Sequence, residues 1–134
     1  MYLIGKSIFI VEDNIANSTI MKVILQASGA TIFLDRWTVD TIARIKEAGH
    51  IDLIIMDLML PNGPTGYDVF EKIKIDPQLC MIPTVVVSAS DPAMEMSKAR
   101  QKGFAGYIAK PINNHTFARH IASVLTGKQV WNED

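Results

Sequence analysis

Disulfide chemistry has almost no foothold in this chain of 134 residues: it holds one cysteine, Cys80, with no second thiol for an internal bridge. A reduced, cytoplasmic setting is therefore the expectation. A surplus of either charge is missing too, since the formal net charge is -1. A dedicated nucleic-acid binder would carry a basic excess or stripe, so no nucleic-acid partner is expected. No apolar run approaches the roughly 20 residues that cross a bilayer, and the opening stretch MYLIGKS is too short for a signal peptide, so no membrane role is expected. Internal repeats and low-complexity tracts are absent. What is present is 49% hydrophobic and 20% charged. That balance suits one compact domain with a single chain-wide core rather than a disordered segment.

Hydrophobic patterning divides the chain into alternating strands and helices. SIFIV (7–11), ATIFL (30–34), DLIIMD (52–57), IPTVVVSA (82–89) and AGYIA (105–109) read as strands, short and apolar on both faces. Between them, Ala16, Ile20, Val23, Ile24 and Ala27 recur at helical spacing before Gly29, and Val39, Ile42, Ala43 and Ala48 mark a second helix before Gly49. A third helix runs from about Tyr67 to Ile75, with Val69, Phe70 and Ile73 inward and Pro77 as its stop. A fourth, DPAMEMSKARQK, opens with Pro92 and ends at Gly103; its apolar stripe is thin. A last helix spans Asn114 to Thr126. Strands without polar alternation need cover on both faces. With right-handed crossovers the pattern predicts an α/β domain over 1–126: a doubly wound, five-stranded parallel sheet, (βα)5, followed by a short tail over 127–134. In such sheets, functional residues collect beyond the carboxyl ends of the strands.

Those ends carry chemistry. The first strand closes on Glu12 and Asp13, the third on Asp57, the fourth on Ser88, and the fifth on Lys110 followed by Pro111. If the first and third strands are neighbours, three carboxylates converge, and each unit-charge pair at ~4 Å and an effective dielectric near 20 costs about 4 kcal/mol. A hard divalent cation offsets that repulsion, and an oxygen-lined, partly open site suits Mg2+. Such a site permits in-line attack of the Asp57 carboxylate on a phosphoryl group, with Lys110 and the Ser88 hydroxyl taking phosphoryl oxygens. The product is an acyl phosphate.

This ordered set resembles the receiver domain of two-component response regulators, the CheY-like superfamily, from about Ser7 to Thr126. VEDN followed by Asn17, and MDLMLP, add to the resemblance. The resemblance implies a flavodoxin-like fold with strand order 2-1-3-4-5. It implies Asp57 as phosphoacceptor, Asp13 as a direct Mg2+ ligand, Glu12 acting largely through water, and the Met59 main-chain carbonyl as a further ligand. Lys110 then binds phosphate, Ser88 is the switch hydroxyl, Tyr107 is the switch aromatic, and Lys110–Pro111 is cis. Two departures stand out. Glu12 replaces the commoner Asp, and four residues rather than three separate Pro61 from Gly66 in PNGPTG, which puts the start of the third helix in doubt.

The implied function is a stand-alone response regulator: it accepts a phosphoryl group from a sensor histidine kinase or a histidine phosphotransfer protein and is not an enzyme beyond its own phosphorylation and dephosphorylation. Only eight residues follow Thr126, so no output domain is expected. The signal then leaves by protein contact through the face of the fourth helix, fifth strand and fifth helix; Met94 and Met96 read as either solvent-facing or core, and in the first case would suit a partner surface on the fourth helix. Homodimerisation is left open, as is whether Trp131 packs back or meets a partner. One alternative is a phosphorylation-independent scaffold. Another is a metal-dependent phosphohydrolase, but that chemistry wants Asp-x-Asp and Met59 fills the second acid's place. A flavin site is disfavoured because the loop after the first strand is acidic and lacks a Gly/Ser/Thr-rich phosphate cradle. His50, His115 and His120 show no metal-ligand spacing.

Overall fold

The computed structural model describes residues 2–36, 40–60 and 65–131. In chain order they form β1 (Ser7–Val11), α1 (Ile15–Ala27), β2 (Thr31–Asp35), α2 (Thr41–Glu47), β3 (Leu53–Met56), α3 (Gly66–Ile75), β4 (Thr84–Ser88), α4 (Pro92–Lys102), β5 (Gly106–Ala109), α5 (Phe117–Leu125) and β6 (Val130–Trp131). The strands join in one sheet, β2-β1-β3-β4-β5-β6, and every pairing is parallel.

Successive strand residues point to opposite faces, which splits the interior into two layers. Ile8, Ile10, Leu53, Ile55, Val85, Val87 and Ile108 pack against Met21 and Leu25 of α1 and Phe117, Ile121 and Val124 of α5. Phe9, Val11, Ile54, Met56, Val86 and Tyr107 face the other way, toward Ile45 of α2, Val69, Phe70 and Ile73 of α3, Ala99 of α4, and Phe104. The Phe70 and Phe104 rings stack with centroids 3.8 Å apart. Such a pair is worth about 0.5–1.5 kcal/mol beyond its burial.

Local chemistry sets the helix ends. The Asn14 side chain accepts the Asn17 amide at 2.9 Å to start α1, and Gly29, at φ +100°, turns the chain back into β2. Asp91 caps α4, Pro92 opens it, and Gly103, at φ +102°, closes it. As the thin stripe foretold, Ala99 is the buried residue of α4. The last helix begins later than the Asn114 expected, because Asn113 takes the His115 amide with its side chain and the Thr116 and Phe117 amides with its carbonyl, forming a turn first. The fourth strand is shorter than 82–89: Pro83 lacks an N–H, and the strand starts at Thr84.

The sheet order 2-1-3-4-5 stands, but a five-stranded count needs correction. Val130 and Trp131, read above as part of a tail, add a sixth strand against β5, with Gly106 opposite Val130 and Tyr107 opposite Trp131. Gly127, at φ +92°, turns the chain after α5, and Val130, 5% exposed, joins the aliphatic layer under that helix.

The lengthened loop PNGPTG begins with residues 61–64, which lie outside the described residues, as does Val39. The doubt it cast on the third helix resolves at Thr65 and Gly66. Thr65 caps α3 in a reciprocal capping box with Asp68, and the Gly66 amide donates to the Leu58 carbonyl at 2.9 Å. A Cβ on Gly66 would lie 2.3 Å from the Asp57 carbonyl oxygen and 2.8 Å from Leu58 Cα, both backbone atoms. Gly66→Ala is therefore expected to lower stability by about 1–3 kcal/mol, read as a fall in the urea midpoint at unchanged m-value.

Candidate functional site

Parallel registration brings the site together. Val11 pairs with Met56, so the next residues, Glu12 and Asp57, emerge side by side. The Asp57 amide donates to the Val11 carbonyl at 3.1 Å, and the Glu12 amide donates to the Asp35 carbonyl at 3.1 Å. Ser88 pairs with Ala109, and the Lys110 amide donates to the Ser88 carbonyl at 2.9 Å. Four strand ends thus open on one space, as expected for residues beyond the carboxyl edge of such a sheet.

Within it, carboxylate oxygens of Glu12, Asp13 and Asp57 all lie within 4.8 Å of one another. Glu12 is 1% exposed and Asp57 7%, while Asp13 faces solvent. The Lys110 ammonium donates to Glu12 Oε1 and, at 3.2 Å, to Asp57 Oδ2. The main chain also contributes: the Met59 amide donates to Asp57 Oδ1 at 3.2 Å and the Asn14 amide to Glu12 Oε2 at 3.3 Å. The Lys110–Pro111 bond is cis.

Burial pushes the Glu12 carboxyl up to about 7; the hydrogen bond from Lys110 opposes this and the nearby Asp57 charge adds to it. Burial alone would pull Lys110 down, but the Glu12 hydrogen bond and the Asp57 charge outweigh it, so the ammonium is held above its ordinary range. A trio of hard carboxylate oxygens with one member open to solvent fits a divalent ion such as Mg2+.

Two of the expected residues sit beside this cluster and face elsewhere. The Ser88 hydroxyl, fully buried, lies 3.0 Å from the Ser90 hydroxyl and accepts the Ser90 amide at 3.2 Å. Tyr107 is also fully buried and donates its hydroxyl to the Ser90 carbonyl at 3.0 Å. Burial, with the charges of Glu95 and Asp57, pushes that phenol up to about 12.

Ser90 is thus the shared partner of both, and the sequence reading passed over it. Its only signal was a second hydroxyl two residues after Ser88 in SAS. Asp35 was passed over as well: fully buried at the end of β2, it accepts from the Thr41 hydroxyl at 2.8 Å, lies 3.9 Å from the Arg44 Nε, and backs the Glu12 amide.

The buried Glu12 carries a pH signature. With its carboxyl near 7 when folded and 4.5 as the ordinary value, the native state holds the extra proton between those limits. That contribution to stability is full below about 4.5 and is lost as pH rises through about 7. In EDTA, the free energy of unfolding should fall by roughly 2–3 kcal/mol from pH 4.5 to 7.5, and Glu12→Gln should flatten that slope in urea titrations.

Residues 8–122 match the family model for the response regulator receiver domain. The polar-differentiation response regulator DivK of Brucella ovis is 35% identical over 120 residues, covering 90% of this chain and 96% of that protein. Among solved structures, the chemotaxis response regulator CheY4 of Vibrio cholerae superposes with a TM-score of 0.79 at 19% identity, over 89% of this chain and 98% of that one. The signal receiver domain of a signal transduction histidine kinase from Syntrophus aciditrophicus does so with a TM-score of 0.77 at 28% identity, over 92% of each chain. Sequence and fold converge, and the chain belongs to the response regulator receiver domains, signalling modules of two-component systems rather than enzymes in the usual sense.

Proposed function

We propose that Asp57 of this chain accepts a phosphoryl group from a phosphohistidine of a sensor histidine kinase or phosphotransfer protein, and that the chain signals as a stand-alone, cytoplasmic regulator. Receiver domains in general bind Mg2+ at an acidic pocket and interact with histidine kinases or phosphotransfer proteins and with downstream targets. The single observation that carries the reading is the carboxylate trio around Asp57 with the Lys110 ammonium bridging Glu12 and Asp57.

In this reading Glu12, Asp13 and Asp57 would hold Mg2+, Glu12 largely through water, with the Met59 carbonyl as a further ligand. When bound, the ion neutralises phosphoryl oxygen charge. The chain's own residues do the rest. A carboxylate oxygen of Asp57 forms the bond to phosphorus while the phosphorus–nitrogen bond of the donor breaks, and the electron pair leaves with the imidazole nitrogen, which takes up a proton. The Met59 amide, already on Asp57 Oδ1, orients the nucleophile. Lys110 offers its charge to the incoming group. The Ser88 hydroxyl turns from Ser90 toward the phosphoryl oxygens, and Tyr107 answers that movement, shifting a two-state equilibrium that a target reads on the α4–β5–α5 face.

Several observations support this reading over a scaffold or a phosphohydrolase. The acid–lysine set is intact, and Met59 stands 68% exposed where a phosphohydrolase of the Asp-x-Asp type would need a second acid. DivK, a response regulator, aligns over 96% of its length, which supports a response-regulator role for this chain. Among the described residues, no helix is long and apolar enough to cross a membrane.

The test is labelling by a small phosphodonor such as acetyl phosphate. Wild type with Mg2+ should gain one acid-stable, base-labile phosphoryl group, seen by intact mass. Asp57→Asn, or wild type in EDTA, should stay at background, and Lys110→Ala should be labelled at least about tenfold more slowly. Equal labelling of Asp57→Asn would refute the reading.

A further inference from the structure

Two phenol hydroxyls hold the N-terminal end of α4 from two sides. From β5, Tyr107 donates to the Ser90 carbonyl at 3.0 Å, one residue before the Asp91 cap. From α3, Tyr67 donates to a carboxylate oxygen of Glu95, in the first turn of α4. The Tyr67 ring takes two more side chains of that helix: the Lys98 ammonium stands 4.4 Å from its centroid and the Lys102 ammonium 5.6 Å. Glu95, Lys98 and Lys102 follow helical spacing, so α4 lays one polar edge along a single tyrosine. Phe104, just past the helix, meets the same ring edge-on, with centroids 6.0 Å apart.

Tyr67 is fastened close to Asp57. It is the second residue of α3, and Gly66 before it donates its amide to the Leu58 carbonyl at 2.9 Å, next to the Met59 amide that lies on Asp57 Oδ1. Tyr107 reaches the site by another route, along β5 toward Lys110. Glu95 acts on both phenols. Burial is the largest cause that pushes each of them up; for Tyr67 the hydrogen bond to Glu95 and its charge add to this, and for Tyr107 the Glu95 charge does. The apolar hold on α4 is slight, with Ala99 buried and Met96 half-buried. Polar ties therefore decide where its first turn lies.

We propose that Tyr67 is a positioning residue of the phosphoryl switch: its hydrogen bond to Glu95 keeps the first turn of α4 beside Tyr107, so that the Tyr107 ring stays buried with its hydroxyl on the Ser90 carbonyl. The link to the switch rests on the phosphoryl reading above. Recruiting the Ser88 hydroxyl draws the loop over 88–91 toward Asp57 and opens room behind it, which the buried Tyr107 ring fills. Loading of Asp57 and burial of that ring then favour each other. The Tyr67–Glu95 bond favours both, and linkage requires that loading strengthen the bond by the factor with which the bond strengthens loading.

The experiment uses the full chain labelled with 3-fluorotyrosine. Tyr2, Tyr67 and Tyr107 are its three tyrosines, so each gives one fluorine resonance, and Tyr107→Phe assigns the reporter. Tyr67→Phe removes the hydroxyl and keeps the ring that Lys98, Lys102 and Phe104 touch. It should move the Tyr107 resonance toward its solvent-exposed value and speed amide exchange over 92–96 by about tenfold, with exchange in β1 and β3 unchanged as the check on folding. Glu95→Leu should do the same, whereas Glu95→Gln, which keeps an acceptor for the Tyr67 hydroxyl, should stay near wild type. The double variant Tyr67→Phe with Glu95→Leu should go no further than either single one. A Tyr107 resonance unmoved by Tyr67→Phe overturns the proposal. Glu95→Gln behaving as Glu95→Leu overturns the role of the hydrogen bond. These variants need no phosphorylation.

A second arm titrates beryllofluoride with Mg2+ and follows the bound fluorine signal. Tyr67→Phe should bind it about fivefold more weakly than wild type, and Glu95→Gln about as tightly as wild type. Unchanged or tighter binding in Tyr67→Phe overturns the link to the switch. Failure of wild type to load overturns the phosphoryl reading and this link with it, while the Tyr107 resonance still decides whether Tyr67 positions α4.

Discussion

Lys110 keeps two buried carboxylates, Glu12 and Asp57, in one small space, and the carboxyl edge of the sheet is arranged around that contact. Taking an ion out of water costs several kcal/mol even after relaxation, so two acids placed there need a partner, a proton or a cation. The fold supplies the first through Lys110, and Glu12, near 7, takes the second in part. Asp13 stays in solvent and completes a donor set that suits the third. Backbone registration holds Glu12, Asp57 and Lys110 close together, because each follows directly from the last paired residue of its strand.

Much of this was readable from residue order. Apolar runs that end in Glu12-Asp13, in Asp57, in Ser88 and in Lys110-Pro111 place functional groups at strand ends whatever the details of the helices. A parallel sheet then brings the ends together. What escaped the reading was mostly a matter of side-chain direction. Nothing in SAS says that Ser90, rather than the acidic cluster, is the partner of Ser88 and Tyr107. Asp35 falls just past the strand expected over 30–34, yet it is fully buried with Thr41, because a residue six positions on returns to meet it.

The sixth strand was missed for a different reason. A strand of two residues carries no period to detect, and its cause lies at Gly106, distant in sequence, where the absence of a side chain admits the Val130 backbone. The later start of α5 was hidden in the same way: Asn113 fits a helix start by composition, but its side chain and carbonyl hold a preceding turn instead.

The two faces of the sheet are held by different means. On one, α1 and α5 bury an aliphatic layer. On the other, α4 adds Ala99 and the half-buried Met96 and relies on long arms: Tyr67 donates its hydroxyl to Glu95, Lys98 stands 4.4 Å from the Tyr67 ring centroid, and Lys74 donates to the Lys102 carbonyl at 2.8 Å. A helix that gives up so little apolar contact when it moves has no steep well around any one position. Its resting distribution is then decided by individual polar contacts, and since 1.4 kcal/mol is about a tenfold change in a ratio, making or breaking one of them is enough to redistribute the whole population.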